Sequence, residues 1–110
     1  MAVAKSILLS IAYLLVCLPL FGYANDKVVL QLKWKHQFQF AGYYAAKQQG
    51  YYQAAGFDVE IRARNPKTSP VKDVLEGRAT FGISDSSIVL QRMLDKPVVV
   101  LTAVFQHSPL

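Results

Sequence analysis

G-Y-Y-Q-A-A-G-F-D-V-E-I, residues 50–61, is the stretch that decides the fold. Before Gly50, residues 41–49 include Ala45, Ala46, Lys47 and Gln48, all good helix formers. Glycine readily adopts the left-handed backbone on which helices commonly end, so Gly50 reads as a helix stop. Gly56 then hands the chain to an alternating run, with Phe57, Val59 and Ile61 set against Asp58, Glu60 and Arg62. A period of two is the mark of a strand with one apolar face. Helix, turn and strand in this order form the closing half of a βαβ unit.

Working outward, residues 28–32 are apolar and rich in β-branching, and predict a first strand running on to Trp34. Residues 35–39 break that pattern and read as a loop. Phe40 and Tyr44, with Ala41 and Ala45, make the expected inward stripe of the first helix. Downstream, residues 65–70 are turn-rich, and Pro70 suits the first position of a helix, where its missing N–H is not needed. Val71, Val74 and Leu75 follow at helical spacing, and Gly77 ends that helix. Residues 80–83 predict a short strand. Ser84, Asp85 and Ser86 are all competent helix caps. Behind them Val89, Leu90, Met93 and Leu94 share one helical face, with Gln91, Arg92 and Asp95 on the other. Lys96 and Pro97 stop the third helix. Residues 98–104 are almost continuously apolar, as expected for a strand covered on both faces. The order is β-α-β-α-β-α-β, an α/β fold with a mostly parallel sheet flanked by helices.

The chain has 110 residues, 53% of them apolar, enough for one small domain. Part of that apolar content is concentrated at the start. No charged residue occurs from 6 to 25, Lys5 precedes the stretch, and Pro19, Gly22 and Ala24 follow its most apolar part. This pattern predicts a secretory signal over residues 1–24, cleaved after Ala24. The alternative is an uncleaved membrane anchor, which the stretch approaches in length. Cys17, the one cysteine, lies inside this segment; Val16 before it is larger than a lipoprotein site requires. Residues 25–110 thus hold no disulfide and no thiolate site. Of 12 basic residues, removing Lys5 leaves 11 against 7 acidic ones, a net charge of +4. The cations are scattered and form no block, which argues against nucleic acid as a partner. A four-stranded open sheet built from residues 25–110 has a thin core, so this segment is expected to be a fragment of something longer, truncated at its C-terminus, the alternative being a naturally short domain.

In an open parallel sheet, ligands bind beyond the C-terminal ends of the strands. Those ends carry Trp34, Lys35, His36, Gln37 and Phe38 after the first strand, and Asn65, Lys67, Thr68 and Ser69 after the second. Ser84, Asp85, Ser86 and Ser87 follow the third, and Gln106, His107 and Ser108 the fourth. Aromatic faces beside a few aimed hydrogen-bonding groups describe a small-molecule pocket. The candidate ligand-binding residues are Trp34, His36, Phe38, Tyr43, Ser84, Asp85, Ser86 and His107. Each has a second reading. Trp34 also fits as core at a strand end, Tyr43 as a packing residue with a wet hydroxyl, Ser84, Asp85 and Ser86 as caps, and the two histidines as surface loop residues. Nucleophile-elbow, phosphate-loop and paired-cysteine metal motifs are all absent from the sequence, so catalytic residues, cofactors and metals are not expected.

L-Q-L-K-W (30–34), F-A-G-Y-Y-A-A (40–46), G-Y-Y-x-x-x-G-F-D-V-E (50–60), F-G-I-S-D-S-S (81–87) and V-F-Q-H-S-P (104–109) occur in this order. Together they resemble the thiamine-pyrimidine-precursor and sulfonate-type solute-binding proteins of ABC transporters. The resemblance implies part of a lobe of a type 2 periplasmic-binding-protein fold. It implies extracytoplasmic capture of a small heteroaromatic or anionic molecule for an ABC permease, with the loop after Trp34 and the 84–86 turn lining the cleft. Thiamine-precursor members, and a related fungal pyrimidine synthase, usually carry a histidine six residues after the tryptophan. Here that position is Phe40, and His36 lies two after Trp34, which argues against the enzyme. K-H-Q-F-Q-F-A-G-Y-Y (35–44) is also similar to a variant found as the sensory module of membrane histidine kinases and diguanylate cyclases, so a membrane signalling partner stays open beside the permease.

Overall fold

The computed structural model describes residues 25–106. The signal expected over residues 1–24, Cys17 and His107 lie outside the described residues.

Three parallel strands form the sheet, in the order β2-β1-β3. β1 (Asp26–Gln31) is central, and β2 (Phe57–Arg62) pairs with it along its whole length, from Asp26 opposite Phe57 to Gln31 opposite Arg62. β3 (Phe81–Gly82) pairs on the other side, Leu30 with Phe81 and Gln31 with Gly82. Flanking hydrogen bonds prolong that short pairing: Thr80 N–H donates to Val29 O at 3.0 Å, and Ile83 N–H to Gln31 O at 2.8 Å. The α/β class read from the sequence is what is found.

Between β1 and β2, a single 3-10 turn (Phe38–Phe40) leads into α1 (Ala41–Gln48). Gly50, at φ +76°, then reverses the backbone sense and starts a second short helix, α2 (Tyr51–Ala54), where the sequence suggested only a turn. Gly56, at φ +84°, turns the chain into β2, and its carbonyl accepts from Asp26 N–H at 2.9 Å. That bond sets the start of the β1–β2 register. Phe40 is buried as expected, Tyr44 and Ala41 are half-buried, and Ala45 is exposed rather than inward. α1 leans on β2, where the Lys47 ammonium donates to Val59 O.

α3 (Pro70–Leu75) joins β2 to β3 and begins as read, with Pro70 in its first turn and the Ser69 hydroxyl accepting from Lys72 N–H at 3.2 Å. Asp73, buried in this helix, accepts from the Thr68 hydroxyl at 3.1 Å and from Arg78 Nε at 2.8 Å. The loop into α3 and the turn out of it are thereby held to one carboxylate. α4 (Ile88–Met93) follows β3. The core consists of Leu30, Leu32, Phe40, Val59, Ala79 and Val98, with Leu32 fully buried.

Two expectations need correction. Residues 98–104 form no strand: Val98 is buried, but Val99, Val100, Leu101 and Val104 are exposed. The apolar stripe of α4 is likewise open, with Val89, Leu90, Met93 and Leu94 all exposed and Gln91 on the more covered side. Both follow from the same cause. An apolar face becomes interior only where another layer covers it, and among the described residues no element lies over either of these.

Candidate functional site

The three strands end at one rim, and polar chain leaves the sheet there. Gln31, the last residue of β1, is buried, and its side-chain amide donates to Ala63 O at 2.8 Å, Arg62 O at 3.2 Å and Leu32 O at 3.3 Å. One side chain therefore clamps the departure points of β1 and β2 together. Leu32 N–H adds a bond to Arg62 O at 2.8 Å, and Arg64 N–H one to Trp34 O at 3.0 Å. These bonds carry the pairing past the end of the sheet and bring Trp34 beside Arg64. The Arg64 guanidinium carbon lies 5.7 Å from the centre of the Trp34 ring, within the range of cation–π attraction.

An open hollow of about 1030 Å³ occupies this rim. That is near the upper end of the size range of ligand pockets. Trp34 from the β1 end, Arg64 from the β2 end, Ser84 and Asp85 from the β3 end, and Ser69 at the start of α3 all line it. Trp34 is 46% exposed, so much of its ring is open to solvent and to whatever enters the hollow.

Asp85 is held by local geometry. Its carboxylate accepts from Ser87 N–H at 3.0 Å and its carbonyl from Ile88 N–H at 3.1 Å, which builds the turn into α4. The helix cap itself is Ser87, with no side-chain capping bond, rather than Ser84, Asp85 or Ser86. The hydrogen bonds from Ser87, and then the nearby charge of Lys33, hold the Asp85 carboxyl below the usual aspartate range. The hollow's other carboxylate, Glu76, is engaged by Arg78 and by Lys72, the latter at 3.9 Å.

Of the residues singled out in the sequence, Trp34, Ser84 and Asp85 meet in this hollow, while His36, Phe38, Tyr43 and Ser86 do not line it. His36 is hydrogen-bonded through Nδ1 to the Tyr44 hydroxyl, with the two rings edge to face at 5.8 Å. Burial raises the Tyr44 phenol above its ordinary range. Phe38 is 92% exposed, Tyr43 is half-buried on α1, and Ser86 is exposed with its carbonyl accepting from Val89 N–H.

Arg64, Lys33, Gln37, Gln91 and Lys96 also line the hollow and were not singled out. For Arg64 a signal existed. It lies two residues past the end of β2, on the strand face that Arg62 and Glu60 share, and so among the strand-end positions where ligands are expected. No group of three or more His, Cys, Asp or Glu residues able to hold a metal occurs among the described residues. Nor is any helix among them long and apolar enough to cross a membrane.

Compared with known proteins, the chain is matched by the family model described as NMT1/THI5 like over residues 37–110, which is 74 of its 110 residues. No curated protein and no solved structure matches it.

Proposed function

The chain belongs to the NMT1/THI5-like family, whose members are in the main solute-binding proteins, and from that premise we propose that it captures a small heteroaromatic or anionic molecule outside the cytoplasm and delivers it to an ABC importer. The observation that carries this reading is the convergence of Trp34, Ser84 and Asp85, from two different strand ends, on one hollow. Trp34 supplies a flat apolar face for a planar ring. The Ser84 hydroxyl and the Asp85 carboxylate supply hydrogen bonds that fix its orientation. We read the site as binding without turnover, with the Asp85 carboxylate taken up by hydrogen bonds from Ser87 in the turn into α4. Residues 1–24 act as the export signal in this proposal.

The test is a fluorescence titration of the full chain, whose one tryptophan is Trp34, with a panel of aminopyrimidines and sulfonates. Saturable quenching by at least one compound, abolished in Ser84→Ala/Asp85→Ala, is expected. A flat response across the panel refutes the reading.

A sensing role is the second reading, favoured by K-H-Q-F-Q-F-A-G-Y-Y at residues 35–44. It uses the same hollow. Ligand-dependent uptake through a permease supports transport, whereas ligand-dependent kinase or cyclase output supports sensing.

A further inference from the structure

The charges around the hollow point to one class of ligand, and Arg64 is the informative residue. Arginine side chains elsewhere in the described residues are already engaged. Arg62 donates twice to Glu60, both at 3.1 Å. Arg78 bonds Asp73 and Glu76. Arg92 donates to Lys96 O at 3.1 Å. Arg64 lines the hollow, and among the described residues its guanidinium meets neither a carboxylate within ion-pair distance nor a hydrogen-bond acceptor. It is not loosely placed, because its backbone is bonded to Trp34 O and its guanidinium lies over the Trp34 ring. Lys33 and Lys96 line the same hollow with no ion-pair partner of their own among the described residues, whereas its two carboxylates are tied to Ser87 and to Arg78 and Lys72.

We propose that Arg64 is the anchor for an oxyanion, a carboxylate or sulfonate carried on a planar ring, with the ring itself beside Trp34. The inference rests on the binding reading above and narrows its ligand from heteroaromatic or anionic to both at once. A guanidinium presents parallel N–H donors that match two oxygens of a carboxylate or sulfonate. Holding it against an indole ring lowers the ordering cost of forming those bonds. A neutral ring would leave the Arg64 guanidinium without an anionic partner.

The experiment uses pairs that differ in charge and little in shape: pyrimidine-5-carboxylate against pyrimidine-5-carboxamide, and benzenesulfonate against benzenesulfonamide. Each is titrated into the full chain and into Arg64→Gln, by calorimetry at low and at high salt. In the parent chain the acid is expected to bind roughly 10- to 100-fold more tightly than its amide, the range set by charge-assisted hydrogen bonds. Added salt weakens the acid alone. Arg64→Gln is expected to abolish the preference, the acid losing far more affinity than the amide. The two pairs separate a carboxylate head from a sulfonate head. Equal binding of acid and amide by the parent overturns the anion inference and leaves the binding reading standing. A preference that persists in Arg64→Gln, or an equal loss for acid and amide in that variant, overturns the role given to Arg64. No heat from any of the four compounds overturns this inference, while the binding reading is decided by the aminopyrimidine and sulfonate panel.

Discussion

Replacing Gln31 by methionine tests whether one buried amide holds the site together. Methionine has nearly the same length and volume and no hydrogen-bonding amide, so the change removes donors with little loss of packing. Three bonds go. The bond to Arg62 O matters least, because that carbonyl keeps its bond from Leu32 N–H. The 2.8 Å bond to Ala63 O and the 3.3 Å bond to Leu32 O matter more, since no other donor among the described residues reaches either carbonyl. An unsatisfied buried carbonyl costs about 1–3 kcal/mol. The apolar thioether offsets part of this, leaving a net destabilisation of about 1 kcal/mol. Gln31→Ala adds an unfilled cavity and is expected to cost about 3 kcal/mol. Gln31→Glu introduces a carboxylate that can only accept, aimed at three carbonyls, and is expected to be the worst of the three at neutral pH.

That third variant carries a pH signature. Burial and the facing carbonyls disfavour the ionised form, so its folded pKa lies above the unfolded one. The folded state then binds more protons than the unfolded state, and stability rises as pH falls through the folded value. Urea unfolding of the full chain, followed by Trp34 fluorescence and by circular dichroism, reads all three variants. The same preparations report affinity, which should fall in Gln31→Met because the clamp that sets Arg64 against Trp34 is gone. Should Gln31→Met match or exceed the parent in both stability and affinity, the amide clamp is irrelevant and the reasoning fails.

Two glycines should answer an added methyl with opposite signs. At Gly82 a Cβ meets Pro70 O at 3.1 Å and Val74 Cγ2 at 3.2 Å, so Gly82→Ala is expected to force α3 off β3 and cost about 1–3 kcal/mol in urea melts. Gly42, within α1, has nothing within 4 Å of the same atom, and Gly42→Ala should stabilise by about 0.5 kcal/mol. For Asp85, a carboxyl-carbon NMR titration should place its midpoint below that of an ordinary aspartate, and Ser87→Ala should move it part of the way back. A depressed pKa means that the contribution of Asp85 to stability is present above the unfolded value and lost as pH falls through the folded one. An Asp85 midpoint at or above the ordinary range counts against the turn geometry described for the 84–87 segment.

Local punctuation made most of the fold legible. Gly50 adopts the positive φ angle that its position suggested, Pro70 starts α3 as read, and the alternation of residues 57–62 is a strand in register with β1. These are short-range effects, in which the residue itself carries the reason. The rim of the site was legible for a topological reason, since successive parallel strands deliver Trp34 and Ser84 to the same edge. Arg64 was harder to recognise. Whether a cation is free to bind a ligand depends on where the carboxylates end up. Arg62 and Arg64 look alike in sequence, and only the fold pairs one with Glu60 and leaves the other over an indole ring.

The apolar run at 98–104 shows the limit of reading by pattern. Its residues favour a strand because a β-branched side chain packs well on a pleated surface, not because the isolated backbone demands it. Such a surface must be supplied by a neighbouring strand. One edge of the sheet is β3, whose ladder to β1 spans two residues, so it offers a short template. α4 presents the same problem in helical form: its stripe at 89, 90, 93 and 94 has the right spacing and no cover. Periodicity identifies which side chains gain from burial, roughly 1.5–3 kcal/mol for each large one. It does not say what buries them. Leu30 and Leu32 obtain cover because β1 lies between two partners, while Val99 and Leu101, equally apolar, have none among residues 25–106.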